Sequence, residues 1–272
     1  MGRLATGLGG LLLAAVMLWG VAPAAAASCG GTFNTWLQSF AQEAAAQGVS
    51  QRTISTALTG LSPDPRVLSL DRNQHATFHK SFEEFSSTRV TPFAISKGRS
   101  LMARYSGVLA RIEQQYGVPR QVVVAIWGLE SGFGAVTGKF PTVRSLATLA
   151  HDCRRSEKFT QELIAALKII DRGDLSPSEM RGAWAGELGQ TQFLPSSYLK
   201  FAVDYDGNGR RDLIRSAPDV LASTANYLKG YGWRKGQPWS QGSANFQVLL
   251  EWNKSQVYSE TVAYFANQLG GA

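Results

Sequence analysis

Ile126-Trp127-Gly128-Leu129-Glu130-Ser131-Gly132-Phe133-Gly134 joins an apolar run to a glycine-rich turn, with a single carboxyl at the junction. The run beginning at Pro119 reads as a short helix. Proline suits the first helical position, and Val122, Val123, Ile126 and Leu129 make a buried face. Gly132 and Gly134 then stop it. Glu130 therefore falls in the last turn, where the helix dipole is negative and disfavours another negative charge. An apolar pocket disfavours it too, so both effects push the carboxyl pKa upward. An acid still protonated near neutral pH suits general acid catalysis. The plainer reading is a surface glutamate at a helix end.

Outward from this stretch the chain reads as helix after helix. Phe33, Trp36, Leu37, Phe40 and Ala44 recur at helical spacing, and Ser50 can cap a second helix carrying Ile54 and Leu58. Residues 61–70, with Pro63 and Pro65, read as a loop. Leu101, Tyr105, Val108, Leu109, Ile112 and Tyr116 form one long amphipathic stripe ending at Gly117. Phe159, Leu163, Leu167 and Ile170 form another, ending at Gly173. Ser176-Pro177-Ser178-Glu179 has the pattern of a capping box. Residues 217–229 make a further helix closed by Gly230, and Tyr258, Val262, Phe265 and Leu269 mark the last. Such stripes are core far more often than binding sites. The best strand candidate is the segment 246–252. The expected fold class is mainly α.

The chain has 272 residues, 44% of them hydrophobic and 17% charged, a balance that indicates a folded globular protein. Residues 1–27 read as an export signal: Arg3 precedes an apolar stretch, and Ala24 to Ala27 offer an Ala-x-Ala cleavage site. The mature chain is expected outside the cytoplasm. Its two cysteines, Cys29 and Cys153, then suggest a disulfide. The rival is a lipidated Cys29 that would anchor the protein to a membrane. A formal charge of +7 suits an anionic partner. The basic residues are scattered, so nucleic acid is not expected.

Two more clusters carry chemistry. Gly186-Glu187-Leu188-Gly189-Gln190-Thr191-Gln192-Phe193-Leu194-Pro195-Ser196-Ser197-Tyr198 reads as a structured loop. Its amides can donate to and accept from sugar hydroxyl and acetamido groups; the plainer reading is a turn with satisfied polar groups. Asp204-Tyr205-Asp206-Gly207-Asn208-Gly209-Arg210 fits the first half of an EF-hand loop. Asp212 stands at its ninth place, but Arg215 stands where a bidentate acid belongs. We read Asp204, Asp206, Asn208, Arg210 and Asp212 as an Asx-type turn in the shape of a calcium loop, binding the ion weakly if at all. His75 and His79 lie four apart with no zinc-protease glutamate between them, and read as a solvated face.

Taken in order, these pieces resemble the lytic murein transglycosylases of the membrane-bound B type, whose core is similar to goose-type lysozyme. The resemblance rests on Tyr116-Gly117-Val118-Pro119, the Glu130 stretch, residues 186–197, the Asp204 loop, Ser223-Thr224-Ala225-Asn226-Tyr227-Leu228 and Gly232-Trp233. It implies a lysozyme-like core at 117–235, an N-terminal helical region at 30–116 and a C-terminal segment at 236–272 packing on it. It implies cleavage of the β-1,4 bond between N-acetylmuramic acid and N-acetylglucosamine, with a 1,6-anhydro product and no required cofactor. Peptidoglycan glycan strands would be the partner, and a periplasmic monomer the working form. Glu130 would be acid, then base. Ser131, Gln190, Gln192, Phe193, Tyr227, Trp252, Asn253 and Tyr258 would bind substrate. Ala183 stands where members often have serine, and Phe85 and Trp252 where tyrosines are common. The alternatives are a lysozyme-type hydrolase, with Glu187 or a distant aspartate as base, and a non-catalytic peptidoglycan-binding scaffold.

Overall fold

The computed structural model describes Gly2 and residues 28–73 and 80–271. The export signal at 1–27 and the pair His75 and His79 lie outside the described residues, Gly2 aside.

The fold is helical. The N-terminal third supplies α1 (Phe33–Ala46), α2 (Gln51–Leu58), α3 (Pro65–Arg72), α4 (Phe82–Arg89), α5 (Pro92–Arg104) and α6 (Ser106–Tyr116). The middle holds α7 (Arg120–Ser131), α8 (Thr142–His151), α9 (Ser156–Asp171) and α10 (Pro195–Phe201). The end holds α11 (Ala217–Gly230), α12 (Ala244–Trp252) and α13 (Gln256–Gly270). A small antiparallel ladder pairs β1 (Phe140–Pro141) with β2 (Arg181–Gly182).

Side-chain caps start many of the helices: the hydroxyls of Thr32, Ser50, Thr91, Ser216, Ser243 and Ser255 each accept a backbone N–H of the first turn. Ser81 and Glu84 close a full capping box on α4. α7 runs through the core, with Val122 to Trp127 all buried. α13 lies along α7 and also meets α4 and α5, while α8 packs on α9. Gly128 makes the first of these contacts feasible. A Cβ there would stand 2.8 Å from both the Phe133 and the Phe265 ring.

Several expectations are corrected. The segment 246–252 belongs to α12, not a strand. Its Phe246, Val248 and Leu249 are buried, and a short apolar run has no period that separates strand from helix. The segment 61–70 is a loop only in its first half. Asp64 caps α3 and Pro65 takes its first position, so the proline starts a helix instead of breaking one. The stripe 101–116 is split at Tyr105, followed by Ser106 and Gly107, weak helix formers where bends concentrate. Ser176 and Glu179 form the hydrogen bonds of a capping box, but only one turn follows before β2. Pro119 stands just outside α7, its carbonyl accepting from the N–H of Val122 at 3.0 Å.

A disulfide joins Cys29 to Cys153, with Cα atoms 5.2 Å apart. A bridged Cys29 has no thiol left for a lipid. The Gly30 N–H also donates to the His151 carbonyl at 3.0 Å, so the start of the described chain is tied to the end of α8. Among the described residues no helix is long and apolar enough to cross a membrane.

Candidate active site

Glu130 is the penultimate residue of α7, and Gly132 ends that helix in the left-handed conformation at φ 60°. Phe133 follows at φ 64°, unusual for a bulky residue. Its ring is wedged edge-on between Trp127 and Phe265, which holds the strained turn in place. The result is a rigid platform on which the glutamate projects into a groove.

Two side chains from the far end of the chain meet Glu130. Trp252 Nε1, at the end of α12, donates to Glu130 Oε1 at 2.8 Å. Tyr258 Oη, in the first turn of α13, donates to the same oxygen at 2.6 Å. Both donors are neutral and both act on Oε1, which leaves Oε2 to the groove. Burial, reinforced by the nearby Glu187 carboxyl, outweighs these donors and raises the Glu130 pKa from 4.5 to about 7. Burial and the adjacent Glu130 hold the Tyr258 phenol well above its ordinary value, so it remains a donor.

A groove of about 570 Å³ opens on one side of Glu130, lined also by Trp184, Glu187, Gln192, Phe193, Tyr227, Trp252 and Asn253. Its aromatic wall is one continuous packing: Phe193 and Tyr227 each meet Trp252 edge-on, at 5.4 and 4.8 Å between ring centres. A second groove of about 390 Å³ opens on the other side. Among the described residues Glu130 alone lines both.

The loop that carries Gln192 and Phe193 is built as a small ladder on β2. Gly182 bridges to Leu188, and Leu188 to Phe193, whose backbones exchange two 2.9 Å hydrogen bonds. Gln192 closes the turn at φ 54°, and its amide donates to the carbonyls of Thr137 and Gly189 at 3.1 and 2.7 Å. Glu162 of α9 accepts from the N–H and hydroxyl of Ser196, capping α10 from outside its own segment.

The expected substrate residues divide. Gln192, Phe193, Tyr227, Trp252 and Asn253 line the first groove, and Tyr258 holds Glu130. Gln190 does not face it. Its side-chain Oε1 accepts from Trp127 Nε1 and its Nε2 donates to the Ile214 carbonyl, each at 2.8 Å. Ser131 is buried, with its hydroxyl donating to the Gln190 carbonyl and accepting from the Gly134 N–H. These two clamp the turn after Glu130 to the loop. Trp252 stands where tyrosine is common in the family it resembles, and its indole N–H supplies a donor. Phe85 packs 6.5 Å from the Tyr258 ring. Trp184 also lines the groove; a tryptophan at the entrance to a glycine-rich loop is the signal for it in the sequence.

The Asp204 loop is satisfied mainly from within. Asp204 accepts the N–H groups of Gly207, Asn208 and Gly209, while Asp206 accepts the Ser216 hydroxyl. Arg210 and Arg215 both donate to Asp212, at 3.0 and 2.8 Å, so the Asp212 carboxylate is engaged by two cations. The carboxylates of Asp204, Asp206 and Asp219 do converge, with one oxygen of each within 4.8 Å of the others. Three hard oxygens fit a cation such as calcium. Asp219 lies beyond the twelve-residue loop, so loop spacing did not reveal it.

The transglycosylase SLT domain family matches residues 32–243. The chain belongs to this family. Over 148 residues it is 38% identical to membrane-bound lytic murein transglycosylase B of Escherichia coli K12, covering 54% of this chain and 41% of that protein. It thus spans about two fifths of that relative's length. The fold is similar to SltB3 from Pseudomonas aeruginosa in complex with NAG-anhNAM-pentapeptide: TM-score 0.83, 32% identity, 89% of this chain and 80% of that one. It is also similar to the Escherichia coli lytic transglycosylase Slt35 in complex with calcium: TM-score 0.77, 26% identity, 86% of this chain and 92% of that one.

Proposed function

We propose that this protein is a peptidoglycan lytic transglycosylase that works with Glu130 as its single acid and base. The observation that carries the reading is a carboxyl at a groove, with a pKa near 7, held through one oxygen by Trp252 and Tyr258. The family assignment supports the reaction class, and the anhydromuramoyl ligand in the SltB3 structure supports the product.

In the first step Glu130 Oε2 gives its proton to the glycosidic oxygen, and the bond from muramoyl C1 to that oxygen breaks. Positive charge develops at C1, where the 2-acetamido group of the same sugar assists. Glu130 is now a carboxylate. Trp252 and Tyr258 carry its charge on Oε1 without donating a proton, because both are far weaker acids. Oε2 then takes the proton of the muramoyl 6-hydroxyl as that oxygen bonds to C1. One bond breaks, one forms, the proton ends on the leaving sugar, and no water is consumed. A group titrating near 7 can serve both steps at neutral pH, for roughly 10²- to 10⁴-fold of acceleration; the aromatic wall must supply the rest by orientation.

Glu187 gives the hydrolase alternative its footing, since it lines the same groove and its Oε2 is buried without a hydrogen-bond partner. Product mass separates the two. Muropeptides released by the purified protein should be one water lighter than hydrolysed ones, and Glu130→Gln should release them far more slowly. Hydrated products, or full activity in a folded Glu130→Gln variant, would remove this assignment.

The protein is read as exported, with the disulfide suited to an oxidising compartment. It acts without a cofactor in the reaction. Calcium, where present, would be held by Asp204, Asp206 and Asp219 and would brace the loop.

A further inference from the structure

Gln190 lines neither of the two grooves beside Glu130, and it is buried, 9% exposed. Its Oε1 accepts the indole N–H of Trp127 at 2.8 Å, and its Nε2 donates to the Ile214 carbonyl at 2.8 Å. Its backbone makes the same two connections. The N–H donates to the Leu213 carbonyl at 2.8 Å, and the carbonyl accepts the Ser131 hydroxyl. Two carbonyls of the segment 213–214 thus hold Gln190 from one side, and two side chains of α7, on either side of Glu130, hold it from the other. The segment is fixed in turn. Asp212 accepts the N–H groups of Ile214 and Arg215 at 3.0 and 2.9 Å and donates its own N–H to Asp219 at 2.8 Å.

The approach is close on both sides. A Cβ on Gly134, in the turn after α7, would stand 2.4 Å from Gln190 Oε1, and one on Gly189 would stand 2.6 Å from the Leu213 carbonyl oxygen. The Gln190 amide is therefore a surface against which the turn closes. Trp127, whose indole it holds, meets the Phe133 ring edge-on at 5.7 Å, and Phe133 itself sits in the left-handed turn. Glutamine suits this place because one flat group both accepts and donates. Methionine fills a similar volume and does neither.

We propose that Gln190 is a positioning residue for the reaction at Glu130: acting through Trp127 and Ser131, it fixes the last turn of α7 so that the carboxyl meets its two donors with Oε1 and the glycosidic oxygen with Oε2. This deepens the reading given under Proposed function and rests on it. Trp252 and Tyr258 hold the carboxyl at its tip, and Gln190 holds the backbone that carries it. Displacing a reacting group by about 1 Å can cost on the order of a hundredfold in rate. The clamp is therefore felt in kcat, while glycan binding, which the groove walls provide, is kept.

In Gln190→Met, kcat should fall roughly ten- to a hundredfold with KM within about twofold of native. Asp171→Ala is the control. It deletes hydrogen bonds from Ser50 and Thr53 at the far end of α9, so it lowers the melting temperature without touching the clamp, and its kcat well below that temperature should stay native. Equal kcat losses in the two variants, or a Gln190→Met loss carried by KM, overturn the assignment. The Trp252 indole N–H, bonded to Glu130 Oε1, reports on the carboxyl without turnover. Its nitrogen–proton NMR resonance should move in Gln190→Met and hold still in Asp171→Ala; an unmoved resonance in Gln190→Met overturns the role. Gln190→Glu supplies the rescue, and it carries the test if Gln190→Met folds poorly. A buried carboxyl with no cation beside it keeps its proton at pH 5 and can again accept at one oxygen and donate at the other. Its kcat relative to native should recover there, and no recovery sinks the proposal. Hydrated muropeptides from the native protein would refute the transglycosylase reading and leave a moved Trp252 resonance, and this assignment, standing. Anhydro muropeptides with an unmoved resonance do the reverse.

Discussion

Glu130 and Asp212 are carboxyls set among buried surroundings, yet they titrate in opposite directions. Glu130 receives two neutral donors on one oxygen, faces Glu187, and rises to about 7. Asp212 is only 5% exposed, but it receives two arginines and the N–H groups of Ile214 and Arg215, and these outweigh its burial to lower its pKa. Asp219 separates the two causes. Three backbone N–H groups donate to it, with no arginine, and burial still raises it. At Glu130 and Asp219 the neutral donors favour the carboxylate but do not overcome burial; at Asp212 the two arginines added to the backbone donors do. The groove holds the first arrangement at Glu130, and Arg210 and Arg215 supply the second at Asp212.

The largest test of this contrast is Glu130→Gln. Turnover should fall by on the order of 10²- to 10⁴-fold or more, read as release of anhydro muropeptides, with glycan binding largely kept. The same variant tests the linkage. A carboxyl whose pKa rises from 4.5 to about 7 on folding loses stability as pH climbs from 4.5 through 7, because the folded state must then ionise a buried group. Thermal melts should therefore show Glu130→Gln more stable than the native protein at pH 8, by a few degrees, and close to it at pH 4. Equal behaviour at both values would mean that Glu130 is not buried as described.

Next in size are Trp252→Phe and Tyr258→Phe. Each deletes one donor to Oε1 and should lower kcat roughly ten- to a hundredfold, the worth of a hydrogen bond to a charged group. Each should also move the alkaline limb of the pH–rate profile upward, since the donors stabilise the carboxylate. A limb moving down would reverse the role assigned to them.

Smaller is Arg215→Ala. Arg215 helps hold Glu179 at about 2, behind the Ser176 N–H and hydroxyl. A depressed pKa stabilises the fold above 4.5, and that contribution is lost as pH falls through about 2. Arg215 is half exposed, so the substitution should cost on the order of 1 kcal/mol or less at pH 7. Urea melts should show the difference shrinking toward zero in strong acid. The smallest effect is expected from calcium: millimolar ion should raise the melting temperature by about a degree or two, reversed by a chelator and absent in Asp219→Asn. A larger rise, undiminished in that variant, would place the ion elsewhere.

Where sequence misled, the cause was local ambiguity. Pro65 broke the expected pattern because proline punctuates loops and also starts helices, and only Asp64 beside it, in capping geometry, favoured the second. Gln190 is a case where residue order leaves the partner open, because an amide can pair with almost anything. In the structure its side chain pairs with Trp127 and Ile214, 63 residues before it and 24 after it.

What the chain determined by itself is the α7 platform: the apolar spacing of Val122 to Ile126, a carboxyl in the last turn and a glycine able to end the helix left-handed. Such features depend on neighbours within one or two turns, so they can be read along the line of residues. What tertiary structure alone decided is the chemistry of that carboxyl. Trp252 and Tyr258 reach it across 122 and 128 residues, Glu187 approaches it from a separate loop, and Arg89 and Lys97 stand across the second groove. A proton affinity is set by solvent excluded and charges brought near in three dimensions, and residue order alone does not encode either quantity.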